Sequence, residues 1–294
     1  MLLERRRELP RTAKVATKLA ACMLPVFYLA AALSAQPPSN SGSPPMNGIA
    51  HVAIRVQNLL ASRAFYEKLG YQEAFALDNG GAPTEAFLKV NNTQFIELYP
   101  KHKPEEVIGF MHVCFASSSL EELNRYYASH GLEPTPVKRA GAGNLLFTMR
   151  GPEDQNIEFT QYMPGSKHTV DMGKHLGEDR ISDEIIGVGI QMQNIAKAVE
   201  FYSGQMGFSR AAQQTHTDTF QIPGPSDQVV EISPKAADNR LQLILAVKDL
   251  KQTAEQLKQR GILSEKRNSE LMLHDPDGNV IELKMAPMAR DASQ

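Results

Sequence analysis

Tryptophan is absent from this 294-residue chain and cysteine occurs only twice, at Cys22 and Cys114. That scarcity excludes a disulfide-stapled scaffold and the paired-cysteine zinc motifs of small metal-folded domains. An excess of positive charge is also missing. Thirty-one Lys and Arg stand against 33 Asp and Glu, so nothing forms the basic stripe that a nucleic-acid surface requires. No apolar run reaches the ~20 residues of a membrane-spanning helix. What remains is ordinary globular composition, 42% hydrophobic and 22% charged, and enough length for two compact domains.

The N-terminus has the three parts of an export signal. Residues 1–35 begin with a basic stretch (Arg5, Arg6, Arg7, Arg11, Lys14, Lys18). An apolar run from Leu19 to Ala32 interrupted by Pro25 comes next, and Leu33-Ser34-Ala35 supplies small residues for cleavage. The expected location is therefore periplasmic or secreted, with no membrane attachment once the leader is removed. Cys22 follows Leu-Ala-Ala, but the apolar run lies after it, which argues against a lipoprotein box. The twin-arginine alternative fails because Arg5–Arg7 lie too far from that run. Without residues 1–35 the chain carries 25 basic against 31 acidic residues, and Cys114 is its one cysteine. Residues 36–45 (QPPSNSGSPP) form a polar linker that cannot build a core.

Beyond the linker the chain repeats itself. HVAIRVQNLLASRAFYEKLGY (51–71) aligns with GVGIQMQNIAKAVEFYSGQMGF (187–208), and FIELYP (95–100) with VVEISP (229–234). FMHVCFASSSLEELNRYYASHGL (110–132) aligns with LQLILAVKDLKQTAEQLKQRGI (241–262), and GPEDQNIEF (151–159) with DPDGNVIEL (275–283). Hydrophobic period two alternates with period 3.6 in each copy. The expected fold is α+β, four βαβββ units forming two tandem domains at 46–163 and 183–285. A polar connector (164–182) joins them and a tail covers 286–294.

Side chains alternate faces along a strand. His51, Ala53 and Arg55 therefore share one face, as do Phe95, Glu97 and Tyr99; His112, Cys114 and Ala116; and Asn156, Glu158, Thr160 and Tyr162. The opposite faces are mostly apolar. His51 precedes Glu97 by 46 residues and His112 precedes Glu158 by 46, so each unit offers one ligand from its first strand and one from its last. Two imidazoles and two carboxylates suit one divalent ion such as Zn, Ni, Mn or Fe(II). Cys114 reads as a small buried hydrophobe. His102, His130, His168, His175, His216 and His274 read as solvated histidines in loops or at helix ends.

Residues 47–285 resemble the vicinal oxygen chelate (glyoxalase/bleomycin resistance/extradiol dioxygenase) superfamily. The run His51-Val52-Ala53-Ile54-Arg55-Val56 with Ser62, Phe65-Tyr66 and Leu69-Gly70 is close to the glyoxalase I signature, from which Tyr71 departs. Phe110-Met111-His112-Val113-Cys114 resembles the second glyoxalase motif, and Asp275-Pro276-Asp277-Gly278-Asn279 is a common ending of such units. The resemblance implies tandem glyoxalase-like domains with metal ligands at His51, Glu97, His112 and Glu158. It also implies a small substrate with vicinal oxygens, converted by a lyase or isomerase through a stabilised enediolate, with Glu97 or Glu158 as the base. The second domain places Gly187, Glu231, Gln242 and Glu282 at the ligand positions, with Lys284 on the same face as Glu282. Lacking any histidine there, it reads as a copy without metal.

Two other functions compete. A dioxygenase needs only His51, His112 and Glu158, although Gly143–Arg150 lacks the His and Tyr that precede the final Glu in extradiol enzymes. A non-catalytic small-molecule binder would use Arg55, Tyr99 and Tyr162 as substrate contacts. The sequence assigns no oligomeric state.

Overall fold

Alternation along IAHVAIRV builds β1 (Ile49–Val56), with Ala50, Val52, Ile54 and Val56 fully buried on one face. In this computed structural model, residues 46–214, 217–224, 227–235 and 241–286 are described. Residues 1–35, read as an export signal, the linker and all of the tail beyond Ala286 lie outside the described residues, as does His216. No helix among the described residues is long and apolar enough to cross a membrane.

Four units follow one another in the same order. The first is β1, α1 (Leu59–Lys68), β2 (Gln72–Asn79), β3 (Ala82–Lys89) and β4 (Phe95–Pro100). The second is β5 (Gly109–Ala116), α2 (Leu120–Ser129), β6 (Lys138–Arg139), β7 (Leu145–Arg150) and β8 (Asn156–Gln161). A short connector helix, α3 (Lys167–Val170), leads to β9 (Ile185–Met192) and α4 (Ile195–Val199), the latter extended by a π-helical turn at Glu200–Gln205. Then come β10 (Ser209–Gln214), β11 (Thr217–Gln221) and β12 (Val229–Pro234). The last unit is β13 (Gln242–Val247), α5 (Leu250–Gln259), β14 (Glu265–Arg267), β15 (Glu270–His274) and β16 (Val280–Met285). Three helices start where the sequence supplies caps: Asn58, Asn194 and Asp249 accept from Ala61, Lys197 and Gln252 backbone N–H groups.

Each half forms one eight-stranded sheet, ordered β2-β3-β4-β1-β5-β8-β7-β6 and β10-β11-β12-β9-β13-β16-β15-β14. The architecture is two tandem α+β domains of βαβββ units. β1 runs parallel to β4 and antiparallel to β5, and β5 runs parallel to β8. The core lies between sheets and helices, where Val52, Ile54, Ile96, Val113 and Phe159 pack with Tyr66, Leu69, Leu123 and Tyr127.

Two glutamines tie the domains together reciprocally. Ile49 N–H donates to Gln228 Oε1 (2.6 Å) and Ile185 N–H donates to Gln94 Oε1 (2.9 Å). Each glutamine stands just before the last strand of one unit and satisfies the first strand of the other domain, where an open backbone group would be costly. The connector is folded rather than free. Ile181 N–H donates to Leu69 carbonyl, and a side chain at Gly70 (φ +89°) would lie 2.5 Å from Arg180 Cα, so only glycine lets the connector pass there.

Candidate metal centre

Strand register explains why the four polar residues meet. Ala53 lies between Glu97 on β4 and His112 on β5, while His51 lies beside Cys114, which pairs with Glu158 on β8. The small Ala53 side chain leaves the space that Glu97 and His112 lean into. His51 is the hub. Its Nδ1 is 3.1 Å from Glu97 Oε1, and its Nε2 is 3.1 Å from His112 Nε2 and 3.6 Å from Glu158 Oε1. The donors form two trios sharing His51, one with Glu97 and His112 and the other with Cys114 and Glu158, each within 4.8 Å. Two nitrogens bound at ~2.1 Å in neighbouring positions of one ion would themselves sit ~3 Å apart, so the two imidazoles fit a shared divalent cation.

Electrostatics point the same way. Burial lowers the His51 pKa, helped by His112 and then His168, and burial pushes His112 down to about 4. Both imidazoles are therefore neutral near pH 7, the form that ligates a metal. Burial raises Glu97, with Glu158 and Glu85 adding to the rise and Tyr99 opposing it. Burial and Glu85 push Glu158 up to about 7, against Cys114 and Lys138. Acids lifted this way are short of positive charge, which a cation would supply. The Cys114 thiol is pushed up by burial and then by Glu158 and Glu97, so it stays protonated.

His51, Glu97 and Glu158 line a cavity of about 320 Å³. Tyr99 lines it and donates its hydroxyl to Glu97 Oε2 (3.0 Å), clamping that carboxylate. Tyr162 lines it with its hydroxyl committed to Thr93 carbonyl (2.7 Å). Arg55 does not line it. Farther along β1, its Nε stands 3.8 Å from Glu106 Oε2.

One reading of the sequence is overturned. His168 is no solvated loop residue: it is buried at 5% exposure and lines the same cavity. The fold folds the connector onto the first sheet, which no local pattern announces. His102 and His274 are exposed, His130 stacks on Tyr126, and His175 pairs with Asp171 on an exposed turn. Sequence reasoning also missed Glu85, Lys138 and Asn144, which complete the cavity.

In the second domain an ammonium group sits among the carboxylates. Lys284 Nζ lies 3.0 Å from Glu231, 3.1 Å from Glu282 and 3.5 Å from Glu270. Gln242 also donates to Glu282. A Cβ at Gly187 would meet Val229 Cγ2 at 2.9 Å, so the position equivalent to His51 has no room for an imidazole. Burial alone would lower the Lys284 pKa, but Glu231 and Glu282 outweigh it and hold the group above its ordinary value. Lys284→Met is expected to cost about 1–3 kcal/mol, less than a fully buried pair because the side chain keeps some solvent contact. A calorimetric melt should show Tm falling by ~3–10 °C; an unchanged Tm would sink this account.

Residues 48–159 match the family model described as the Glyoxalase/Bleomycin resistance protein/Dioxygenase superfamily. No curated protein sequence matches the chain. Among solved structures, the 2,3-dioxygenase LapB from Pseudomonas sp. KL28 is 16% identical, with a TM-score of 0.63 over 82% of this chain and 93% of that one. The Mn(II)-bound glyoxalase from Novosphingobium aromaticivorans is 17% identical, with a TM-score of 0.62 and 81% of each chain covered. Homoprotocatechuate 2,3-dioxygenase from Brevibacterium fuscum, in complex with 3,4-dihydroxyphenylacetate, is 13% identical, with a TM-score of 0.62 over 88% of this chain and 86% of that one. At these identities the likeness establishes the fold.

Proposed function

We propose that this chain, whose residues 48–159 belong to the Glyoxalase/Bleomycin resistance protein/Dioxygenase superfamily, is a metal-dependent enzyme acting on a small substrate with vicinal oxygens. Its chemistry is of the lyase or isomerase type. The observation that carries this reading is the pair of donor trios around His51, which bring in His112, Glu97 and Glu158, with His51, Glu97 and Glu158 lining a small-molecule-sized cavity. Held by His51, Glu97, His112 and Glu158, a divalent ion would polarise the substrate oxygens as a Lewis acid.

The two glutamates differ in a way that divides their roles. Glu97 is clamped by Tyr99 and its side chain is 3% exposed, whereas that of Glu158 is 17% exposed. Glu158 is therefore the base that takes a proton from carbon, and Glu97 is the fixed ligand. Leu77, Phe87 and Leu146 line the cavity and limit water around that transfer.

A ring-cleaving dioxygenase is the second reading, favoured by a compact two-histidine one-carboxylate set of His51, His112 and Glu97, with Glu97 in place of the Glu158 expected from the sequence. Purified protein analysed for bound elements, reloaded with Mn(II), Fe(II), Ni(II) or Zn(II), and assayed on the methylglyoxal–glutathione hemithioacetal and on catechol separates the two. Isomerisation supports the first reading and ring cleavage the second. Bound metal with no turnover across a wider panel of hydroxycarbonyls and catechols would make the chain a binding protein. The panel includes thiol-free substrates because the basic-apolar leader, read as an export signal, would place the enzyme where glutathione is scarce.

Metal affinity should depend on pH through Glu158. The apo protein holds both imidazoles neutral, so binding near pH 7 displaces a proton from Glu158, which burial and Glu85 push up to about 7. Affinity is expected to fall about tenfold per pH unit below 7 for each proton displaced. Calorimetric titration in buffers of different ionisation enthalpy reads the protons released; zero release at pH 6.5 contradicts the assignment.

A further inference from the structure

Three buried histidines occur among the described residues, and the ligand set uses only His51 and His112. The third, His168, sits on α3, which Ser166 caps at Thr169 N–H and which the bond from Lys167 N–H to Ala142 carbonyl (2.9 Å) holds to the first domain. Its ring stands nearly perpendicular to Phe75, Phe87 and Phe95, with centroids 5.0, 5.5 and 4.8 Å away. Phe95 is the strand neighbour of His51, which places His168 beside the ligand cluster.

The hydrogen bonds fix its tautomer. Met163 N–H donates to Asn144 Oδ1 (3.1 Å), so the amide end that meets His168 Nδ1 at 2.9 Å is the NH₂ group. That group can only donate, so Nδ1 accepts and the ring proton resides on Nε2. Nε2 is buried and has no hydrogen-bond partner. An unmade bond at a buried donor costs roughly 1–3 kcal/mol, and such a group in a native fold calls for a partner or a functional role. Burial pushes the His168 pKa to about 4, with Asp171 opposing and Lys89 reinforcing the fall, so the ring is a neutral donor near pH 7.

We propose that His168 donates its Nε2–H to a carbonyl or anionic oxygen of the substrate, fixing its orientation in the cavity. This rests on the reading of that cavity as the site where vicinal oxygens meet the metal. It selects substrates with an acceptor oxygen turned toward the aromatic wall, and it draws on the inter-domain connector rather than on either sheet.

The test uses the full chain loaded with Mn(II), His168→Phe, His168→Gln, and 4-nitrocatechol as a chromophoric vicinal-oxygen probe. Both variants should keep wild-type Mn(II) content. His168→Phe should weaken probe binding about 10- to 100-fold, the range for a hydrogen bond to a charged acceptor. His168→Gln, whose amide N–H reaches a similar position, should recover most of the loss. In the metal-free wild type, ¹⁵N spectra should show a protonated Nε2 and an accepting Nδ1. Equal probe affinity in His168→Phe, an Nδ1-protonated ring, or no probe binding by the wild type would each overturn the proposal. His51→Ala keeps the two ideas apart. If it loses Mn(II) while probe binding persists and still depends on His168, the metal's part in holding the substrate falls and His168 stands. If it loses both while His168→Phe binds normally, only the role of His168 falls.

Discussion

His51→Ala is expected to lower divalent-metal affinity by two to three orders of magnitude and to leave the purified protein nearly free of metal. Among the described residues His51 is the member common to both donor trios. Its Nε2 stands 3.1 Å from His112 Nε2 and 3.6 Å from Glu158 Oε1, the side a shared ion would take, and its Nδ1 lies 3.1 Å from Glu97 Oε1. A four-ligand site is worth roughly 10–16 kcal/mol. Shared evenly, one ligand contributes about 2.5–4 kcal/mol, at about 1.4 kcal/mol per tenfold change in affinity. Glu158→Ala should weaken binding comparably, while Glu231→Ala in the second domain should leave metal content unchanged, since Lys284 already neutralises that cluster. Elemental analysis reads the stoichiometry directly. A melt with and without added metal gives a second measure, because ligand at a hundred times Kd stabilises the native state by about 2.7 kcal/mol. Wild-type stoichiometry together with a wild-type thermal gain in both His51→Ala and Glu158→Ala would remove the metal centre from this site.

The ligands were legible in the sequence because each sits on a strand, where parity assigns the face and the unit assigns the neighbour. The equal spacing of His51 to Glu97 and of His112 to Glu158 becomes, in the sheets, two equivalent diagonals across the β1–β4 and β5–β8 pairs. Parity does not say how far along a strand the cavity extends. Arg55 has the right face but stands beyond the cavity, next to Glu106. His168 was illegible for a different reason. Its connector has no period, and its burial comes from tertiary placement against Phe75, Phe87 and Phe95. One signal did point there: Lys89 lies at the end of the apolar run Ala86-Phe87-Leu88 in β3, and a lysine buried there requires a carboxylate from elsewhere in the chain.

That carboxylate is Asp171, and breaking the pair should have the largest effect on stability. Lys89 is 0% exposed, and its ammonium donates to Asp171 Oδ2 at 2.7 Å and also to the Asp171 carbonyl. His175 Nδ1 meets Asp171 Oδ1 at 2.5 Å. Lys89→Met would leave the Asp171 carboxylate buried with only the exposed His175 beside it. Removing one partner of a buried pair costs about 3–5 kcal/mol, because the remaining charge keeps its desolvation penalty. In a domain unit of this size that corresponds to a Tm about 6–20 °C lower. Lys89→Met combined with Asp171→Leu removes both charges and should recover much of the loss. Equal melting of the single and double variants would show that packing, not charge, matters there. None of the four ligands bonds to Lys89, so metal stoichiometry should survive in the folded single variant. Probe affinity should fall, because the same pair pins the connector that carries His168. Loss of metal together with the probe would mean that Lys89 supports the ligand strands themselves rather than the connector laid over them.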